Sequence, residues 1–179
     1  MAAPEDGPFW TFSLALYGRP GVSAALIGLQ DRLGLDVNML LFCCWTGSGG
    51  RSLSTDDLSA VEAATEPWQT EVVRPLRALR RRLKTGIDGL PADRVEAYRK
   101  RIADLEIEGE RIAQDAMANR LPGARQDHES AAARVAANLT TYLRLRNAAA
   151  GGDDRAALTT VLRACCPEAG SGPFTFESA

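Results

Sequence analysis

Basic side chains at helical spacing are the feature of this 179-residue sequence with the clearest potential for binding. Residues 71–84 contain six basic side chains and one acidic side chain. Four of the basic residues share one face of a predicted helix: Arg74, Arg77, Arg81 and Lys84. Such a face attracts an acidic protein surface or a nucleic-acid backbone. The alternative is internal, because residues 104–115 contain five acidic residues and one basic residue and could pair with this helix.

A second polar group lies where the second predicted helix gives way to the third, and it consists of Gln30, Asp31, Asp36 and Asn38. Polar groups at the end of an apolar helix need partners, since leaving one unsatisfied costs about 1–3 kcal/mol. One interpretation is structural, with Asp36 capping the third helix while Gln30 and Asn38 satisfy nearby backbone ends. The other is a small pocket in which Asp31 and Asp36 act as general acid and base or hold a divalent metal.

Three tryptophans fall within the first 70 residues, and they are Trp10, Trp45 and Trp68. Tryptophan favours half-buried sites in which its N–H finds an acceptor. The cluster therefore belongs either to the core or to a binding hot spot, with Trp10 and Trp68 as the candidate anchors.

The four cysteines form two adjacent pairs, Cys43-Cys44 and Cys165-Cys166, and the single histidine is His128. Zinc sites use spaced pairs with further Cys or His ligands, whereas adjacent helical side chains point about 100° apart. We expect four buried, reduced thiols rather than a redox or metal site, and a surface histidine. The sequence therefore predicts no cofactor and no metal.

The elements that must position these residues are helices, because Ala is abundant and no segment alternates cleanly between apolar and polar residues. Glycine, proline and capping residues divide the chain into eight predicted helices. The fourth is predicted to end before Pro67, and the fifth to begin there and kink at Pro75. We predict an all-α, single-domain bundle over residues 8–166, with 1–7 and 167–179 as mobile tails. Its parts are an N-terminal bundle (8–85), a long helical hairpin (91–149) and a last helix (153–166).

Two of the predicted helices have unusual patterns. The third is apolar on all sides from Met39 to Trp45, so we expect it at the centre, covered by the first, second, fourth and fifth helices. The sixth carries an apolar stripe at spacings of three and four: Val95, Tyr98, Ile102, Leu105, Gly109, Ile112 and Ala116. That stripe predicts pairing with the seventh helix, or with a second copy of the chain in an oligomer.

Charge and hydropathy exclude several classes of protein. The net charge is -2, with 21 basic and 23 acidic residues, which disfavours a globally basic nucleic-acid binder. The longest apolar run, Met39–Trp45, is far shorter than the roughly 20 residues that a membrane-spanning helix needs. Residues 1–8 contain no Lys or Arg, unlike a secretory signal. We therefore expect a cytoplasmic protein without a membrane span.

Motifs in the first half resemble those of an uncharacterised, mostly proteobacterial family of small proteins, known only as a domain of unknown function. The resemblance covers about residues 8–85, and weakly the helices to about residue 146. It is carried by these motifs: Trp10, Phe12, Ser13, Leu16, Tyr17, Pro20-Gly21-Val22, Leu29-Gln30-Asp31, Gly34-Leu35-Asp36-Val37-Asn38, Leu40-Leu41-Phe42, Trp45, Pro67-Trp68 and Val72–Arg77. It implies no activity, but it marks the polar group and the basic helix as positions to test.

No catalytic constellation accompanies the basic helix, so the sequence favours a non-enzymatic, cytoplasmic interaction or adaptor protein that binds an acidic protein surface. An enzyme or small-ligand binder based on Asp31 and Asp36 is the alternative. RNA binding through the same basic helix is a third hypothesis, less favoured because the helix lacks the interleaved aromatic residues on which bases stack.

Overall fold

The computed structural model describes residues 6–121, residues 129–169 and Phe176. These residues form eight α-helices and one π-helical turn and contain no β-strand, which confirms the all-α prediction. The helices in chain order are α1 (Pro8–Tyr17), α2 (Val22–Leu33), α3 (Val37–Ser48), α4 (Thr55–Trp68), α5 (Arg74–Leu83), α6 (Ala92–Ala118), α7 (Ala131–Leu145) and α8 (Gly152–Cys165).

Local signals place the junction between α2 and α3 where the sequence predicts it. Gly34 ends α2 with φ 66°, a left-handed conformation that glycine adopts without steric cost. Asp36 then caps α3, because its carboxylate accepts hydrogen bonds from the backbone N–H groups of Asn38 (2.7 Å) and Met39 (3.2 Å).

The middle of the chain differs from the prediction at two prolines. The sequence predicted a helix ending before Pro67 and a new helix that begins there and kinks at Pro75. Instead, α4 continues through Pro67, and the π-turn Gln69–Val73 joins it to α5. The Arg74 N–H donates to the carbonyl of Gln69, five residues earlier. Because Pro75 has no N–H to donate, a wider turn lets the chain pass it without a break.

The described residues divide into two compact units: one contains residues up to Glu62 and from Arg120 onward, and the other contains Ala63–Asn119. In the first unit α3 is the core helix, with every residue from Asn38 to Gly47 buried except Trp45. It packs mainly against α7 and also touches α1, α2 and α8. The buried central helix is confirmed, with α1 and α2 in its cover as expected and α7 and α8 in addition. Cover by the fourth and fifth helices stays a prediction.

Contact between α3 and α7 is close because small and polar residues meet there. A Cβ atom added to Gly47 would lie 2.8 Å from the Cα atom of Val135, so only glycine allows this approach. Asn138, fully buried on α7, accepts a hydrogen bond from the Leu53 N–H (2.8 Å) and donates to the Arg51 carbonyl (3.0 Å). The loop after α3 is thereby attached to α7.

The second unit consists of the end of α4, the π-turn, α5 and α6. α5 and α6 pack side by side and run antiparallel, with ion pairs between them. Within the second unit α6 pairs with α5, and within the first unit α7 pairs with α3 and α8. The predicted pairing of the sixth and seventh helices within residues 91–149 stays a prediction. The connection of eight residues between α5 and α6 favours the pairing of these two helices, since short loops join antiparallel neighbours.

The predicted tails, the predicted position of His128 and the single-domain assignment stay untested. Most of the tails predicted over 1–7 and 167–179, and His128, lie outside the described residues. The assignment of 8–166 to one domain also stays a prediction. Among the described residues, no single helix has the length and hydropathy of a membrane span. Only α1 and α2 taken together, with a bend of 98° between them, meet that criterion of length and composition.

Candidate functional site

Some of the basic residues predicted to bind a partner form ion pairs within the second unit. Arg77 forms an ion pair with Glu106 at 3.0 Å and a second with Glu110. Arg80 reaches the other oxygen of Glu106 at 2.5 Å. Gln69 donates from its side chain to Glu110 at 3.1 Å. The acidic segment of α6 therefore does pair with α5, and Arg77 is held in the hairpin rather than presented on its outer surface.

Glu106 is the centre of this network, because its side chain is only 9% exposed and accepts from two arginines. Burial alone raises the pKa of a carboxyl group, since it penalises the charged form. The hydrogen bonds and charges of Arg80 and Arg77 outweigh burial, and the pKa of Glu106 is lowered. The carboxylate thus contributes stability above its unfolded-state pKa of roughly 4.3, and that contribution is lost as the pH falls through the folded-state value.

Replacing Glu106 tests the strength of this network. We expect Glu106→Gln to lower the free energy of unfolding by about 1–3 kcal/mol at pH 7, between the values for exposed and buried ion pairs. The difference from the natural protein should shrink below about pH 4, because protonation removes the same charge. Urea unfolding at both pH values measures it. Asp104→Asn, on an exposed position of the same helix, is the control and should have little effect.

The other basic residues of α5 face outward. Arg74, which is half exposed, pairs with the half-exposed Glu66 at 2.8 Å. Arg81 and Lys84 are exposed, and within residues 6–121 and 129–169 neither forms an ion pair. Arg82 donates to the Gly86 carbonyl and so orders the start of the loop after α5. The four predicted binding residues therefore do not act as one face, since Arg77 is turned inward.

Exposed apolar side chains accompany these cations at the loop end of the α5–α6 hairpin. Leu79 is 43% exposed, and in the loop Ile87 and Leu90 are 39% and 55% exposed. We call the end of α5 and the loop after it the basic tip, and it consists of Arg81, Arg82, Lys84, Ile87 and Leu90. Leu79 lies on a different side of α5 from Arg81 and is not part of it. Sequence analysis found the cations but not the apolar members, because in sequence the loop looks like a linker. The combination suits a ligand that is both acidic and apolar.

The predicted carboxylate pair does not assemble into a comparable site. Asp36 is committed to capping α3, and its own N–H donates to the hydroxyl of the buried Tyr142 at 3.1 Å. Asp31 is exposed at the surface of α2, and Gln30 is half-buried. Asn38 is buried in the first turn of α3. Within the described residues no group of three His, Cys, Asp or Glu side chains could hold a metal ion.

The tryptophans are used mainly for packing. Trp68 is half-buried and its indole N–H donates to the Gly109 carbonyl at 2.9 Å, which links α4 to α6. Trp45 stacks on Phe9 with ring centroids 4.9 Å apart. Trp10 is half-buried on α1. Of the two candidate anchors, Trp68 already has its polar group satisfied inside the second unit.

The four cysteines are free thiols, and Cys43, Cys44 and Cys166 are buried. Burial, with a smaller contribution from the charge of Glu62, raises the pKa of the Cys43 thiol well above its usual range. A thiol in that state is a poor nucleophile and metal ligand, since both roles need the thiolate.

Comparison with protein families places these features in context. A family model described as a protein of unknown function, DUF2390, matches residues 8–117. The chain belongs to this family. The match contains both partners of the α5–α6 hairpin and therefore the whole basic tip, together with the polar group at the start of α3. It ends before α7 and α8. Neither the curated proteins nor the solved structures include a match to the chain.

Proposed function

We propose that this member of the DUF2390 family is a non-enzymatic binding protein whose basic tip docks an acidic segment of a protein partner. The observation that supports this most directly is the exposure of Arg81 and Lys84 at the end of α5, followed in the loop by the exposed Ile87 and Leu90. Cations that are paired internally contribute to folding, whereas these remain available. Asp88 is the single acidic residue between positions 79 and 90, so the local charge is strongly positive.

The apolar residues of the basic tip define the partner further. A purely electrostatic site needs no exposed leucine, and large apolar side chains are left in water at a cost unless something covers them. The partner segment should therefore carry apolar side chains among its acidic ones. Charge complementarity would speed association and exclude basic partners, while burial of Ile87 and Leu90 would supply affinity.

A cytoplasmic location is part of this proposal. Four free cysteines, three of them buried, are typical of proteins in a reducing compartment.

Charge reversal at the basic tip is the direct test. The natural protein, Arg81→Glu/Lys84→Glu and the control Arg120→Glu/Arg155→Glu would each be used as bait in a nuclease-treated lysate of the source organism. Both double variants replace two exposed arginine or lysine side chains, and they shift the net charge equally. We expect a specific protein to be recovered by the natural chain and the control, and about tenfold less by the basic-tip variant. Quantitative mass spectrometry measures the recovery.

A separate variant tests the contribution of the exposed apolar residues to binding. Leu90→Ser keeps every charge and should also reduce recovery of the same protein, because Leu90 is the most exposed apolar residue of the basic tip. Equal recovery with all variants would overturn the proposal. Binding of a fluorescent single-stranded RNA that weakens steeply with added salt, and that is lost in Arg81→Glu/Lys84→Glu, would instead assign the surface to nucleic acid.

A further inference from the structure

The surface of α6 carries a row of exposed apolar residues. Tyr98, Leu105 and Ile112 are 55%, 52% and 46% exposed. They are spaced seven residues apart, so they lie along one side of the helix with a drift of only about 20° per step. The row is roughly 21 Å long at the rise of an α-helix. The buried side of α6, which includes Ile102, Glu106 and Ala113, lies about a quarter turn around the helix from this row.

A row of charged residues with the same spacing flanks this apolar row. In chain order it contains Arg94, Arg101, Glu108 and Asp115. The first three are exposed and Asp115 is partly exposed, and within the described residues none of the four takes part in an ion pair. The row is therefore basic in the first half of α6 and acidic in the second half. Leu105 lies close to the point where the sign changes.

The order of charges along this row is complementary to the same row running in the opposite direction. A two-fold axis through Leu105, perpendicular to α6, would bring Tyr98 next to Ile112 of a second copy. It would also bring Arg101 next to Glu108 and Arg94 next to Asp115 of that copy. A parallel two-fold arrangement would not pair these opposite charges, because the charged row of each helix would lie on opposite sides of the seam. We propose that two copies of this chain associate through the outer face of α6, with the two helices antiparallel.

Two-fold symmetry accounts for both rows together. An isologous interface uses the same patch twice, so it requires a patch whose charges match their own reverse. An unrelated partner would not require the sign change to coincide with the centre of the apolar row. The surface is also distinct from the basic tip, whose members lie on α5 and the following loop. This inference therefore goes beyond the proposed function and can fail independently of it.

Sedimentation and light scattering over a range of protein concentrations test the association. We expect the natural chain to form a dimer that dissociates on dilution, and Leu105→Glu to remain a monomer, since it brings two carboxylates together at the axis. Leu105 is half exposed, so this variant should keep the helical circular dichroism of the natural chain, and the melting temperature that the natural chain has at concentrations where it is a monomer. A matched control is Ile87→Glu, which changes an exposed apolar residue of the basic tip and should leave the dimer intact.

Charge exchange tests the antiparallel register. Arg101→Glu should weaken dimerisation about tenfold at low salt, because two attractive contacts become repulsive. Adding Glu108→Arg to it should restore the dimer, since the pair is rebuilt with opposite signs. In a mixture, a Tyr98→Cys chain should form a disulfide with an Ile112→Cys chain, and neither should readily crosslink with itself. A monomer at every concentration, or a dimer indifferent to Leu105→Glu and Arg101→Glu, would overturn the proposal.

Discussion

Asn138→Ala should lower the free energy of unfolding by about 3–5 kcal/mol, a large share of the 5–15 kcal/mol that stabilises a typical domain. Asn138 has no exposed surface, and its side-chain oxygen is the acceptor for the Leu53 N–H. Its side-chain nitrogen lies 3.0 Å from the Arg51 carbonyl and 3.2 Å from the Cys43 carbonyl. Truncation removes the acceptor for the Leu53 N–H and a donor to both carbonyls, at a position with no exposed surface.

Urea unfolding followed by circular dichroism measures this loss. Asn138→Asp is a second variant, which keeps an acceptor for Leu53 but directs a carboxylate at two carbonyl oxygens. It should be strongly destabilised at pH 7 and partly recover at low pH, where the carboxyl is protonated. Thr141→Ala on the same helix removes only a local bond to the Ala137 carbonyl and is the control. A loss below about 1 kcal/mol for Asn138→Ala would show that the loop relaxes around the gap.

Gly47→Ala is expected to be the other severe change, with a cost of about 1–3 kcal/mol or more. The new methyl group would lie 2.8 Å from the Cα and N atoms of Val135, and backbone atoms of a packed helix cannot move aside alone. The change should also separate α3 from α7 slightly and thereby weaken neighbouring contacts. Thermal and urea unfolding of the purified variant would measure the loss.

A glycine in a neighbouring helix provides the matched control. At Gly28 an added methyl group meets only the guanidinium of Arg32, which can swing away at the cost of a partly exposed ion pair with Asp154. We expect Gly28→Ala to stay within about 1 kcal/mol of the natural chain, because alanine favours helix. Val135→Ala should not rescue Gly47→Ala, since it removes the Cγ2 contact but not the backbone contact. If Val135→Ala restored the stability of Gly47→Ala, the clash would be with the Val135 side chain and not with its backbone.

Much of the local structure was determined by the sequence alone. The glycines that flank α2, the cap at Asp36 and the fully apolar run from Met39 onward predicted the position and burial of α3 correctly. These signals act within a few residues, so they can be identified without knowing the tertiary structure. The exception is the passage from α4 to α5, where a π-turn replaced the break expected at Pro67. Proline excludes a regular hydrogen bond but does not dictate which irregular turn replaces it.

Only the tertiary structure decided which helices became neighbours and which surfaces stayed exposed. The stripe on α6 was compatible with α7, and its periodicity contained no information about partner identity. Ion pairs from Glu106 to Arg77 and Arg80 joined α6 to α5, with Ile102 and Gly109 buried and Tyr98 and Leu105 exposed. The same pairing divided the basic helix into an internal part and an outward part. A helical pattern specifies which residues share a face, whereas the partner of that face depends on contacts between residues far apart in the chain.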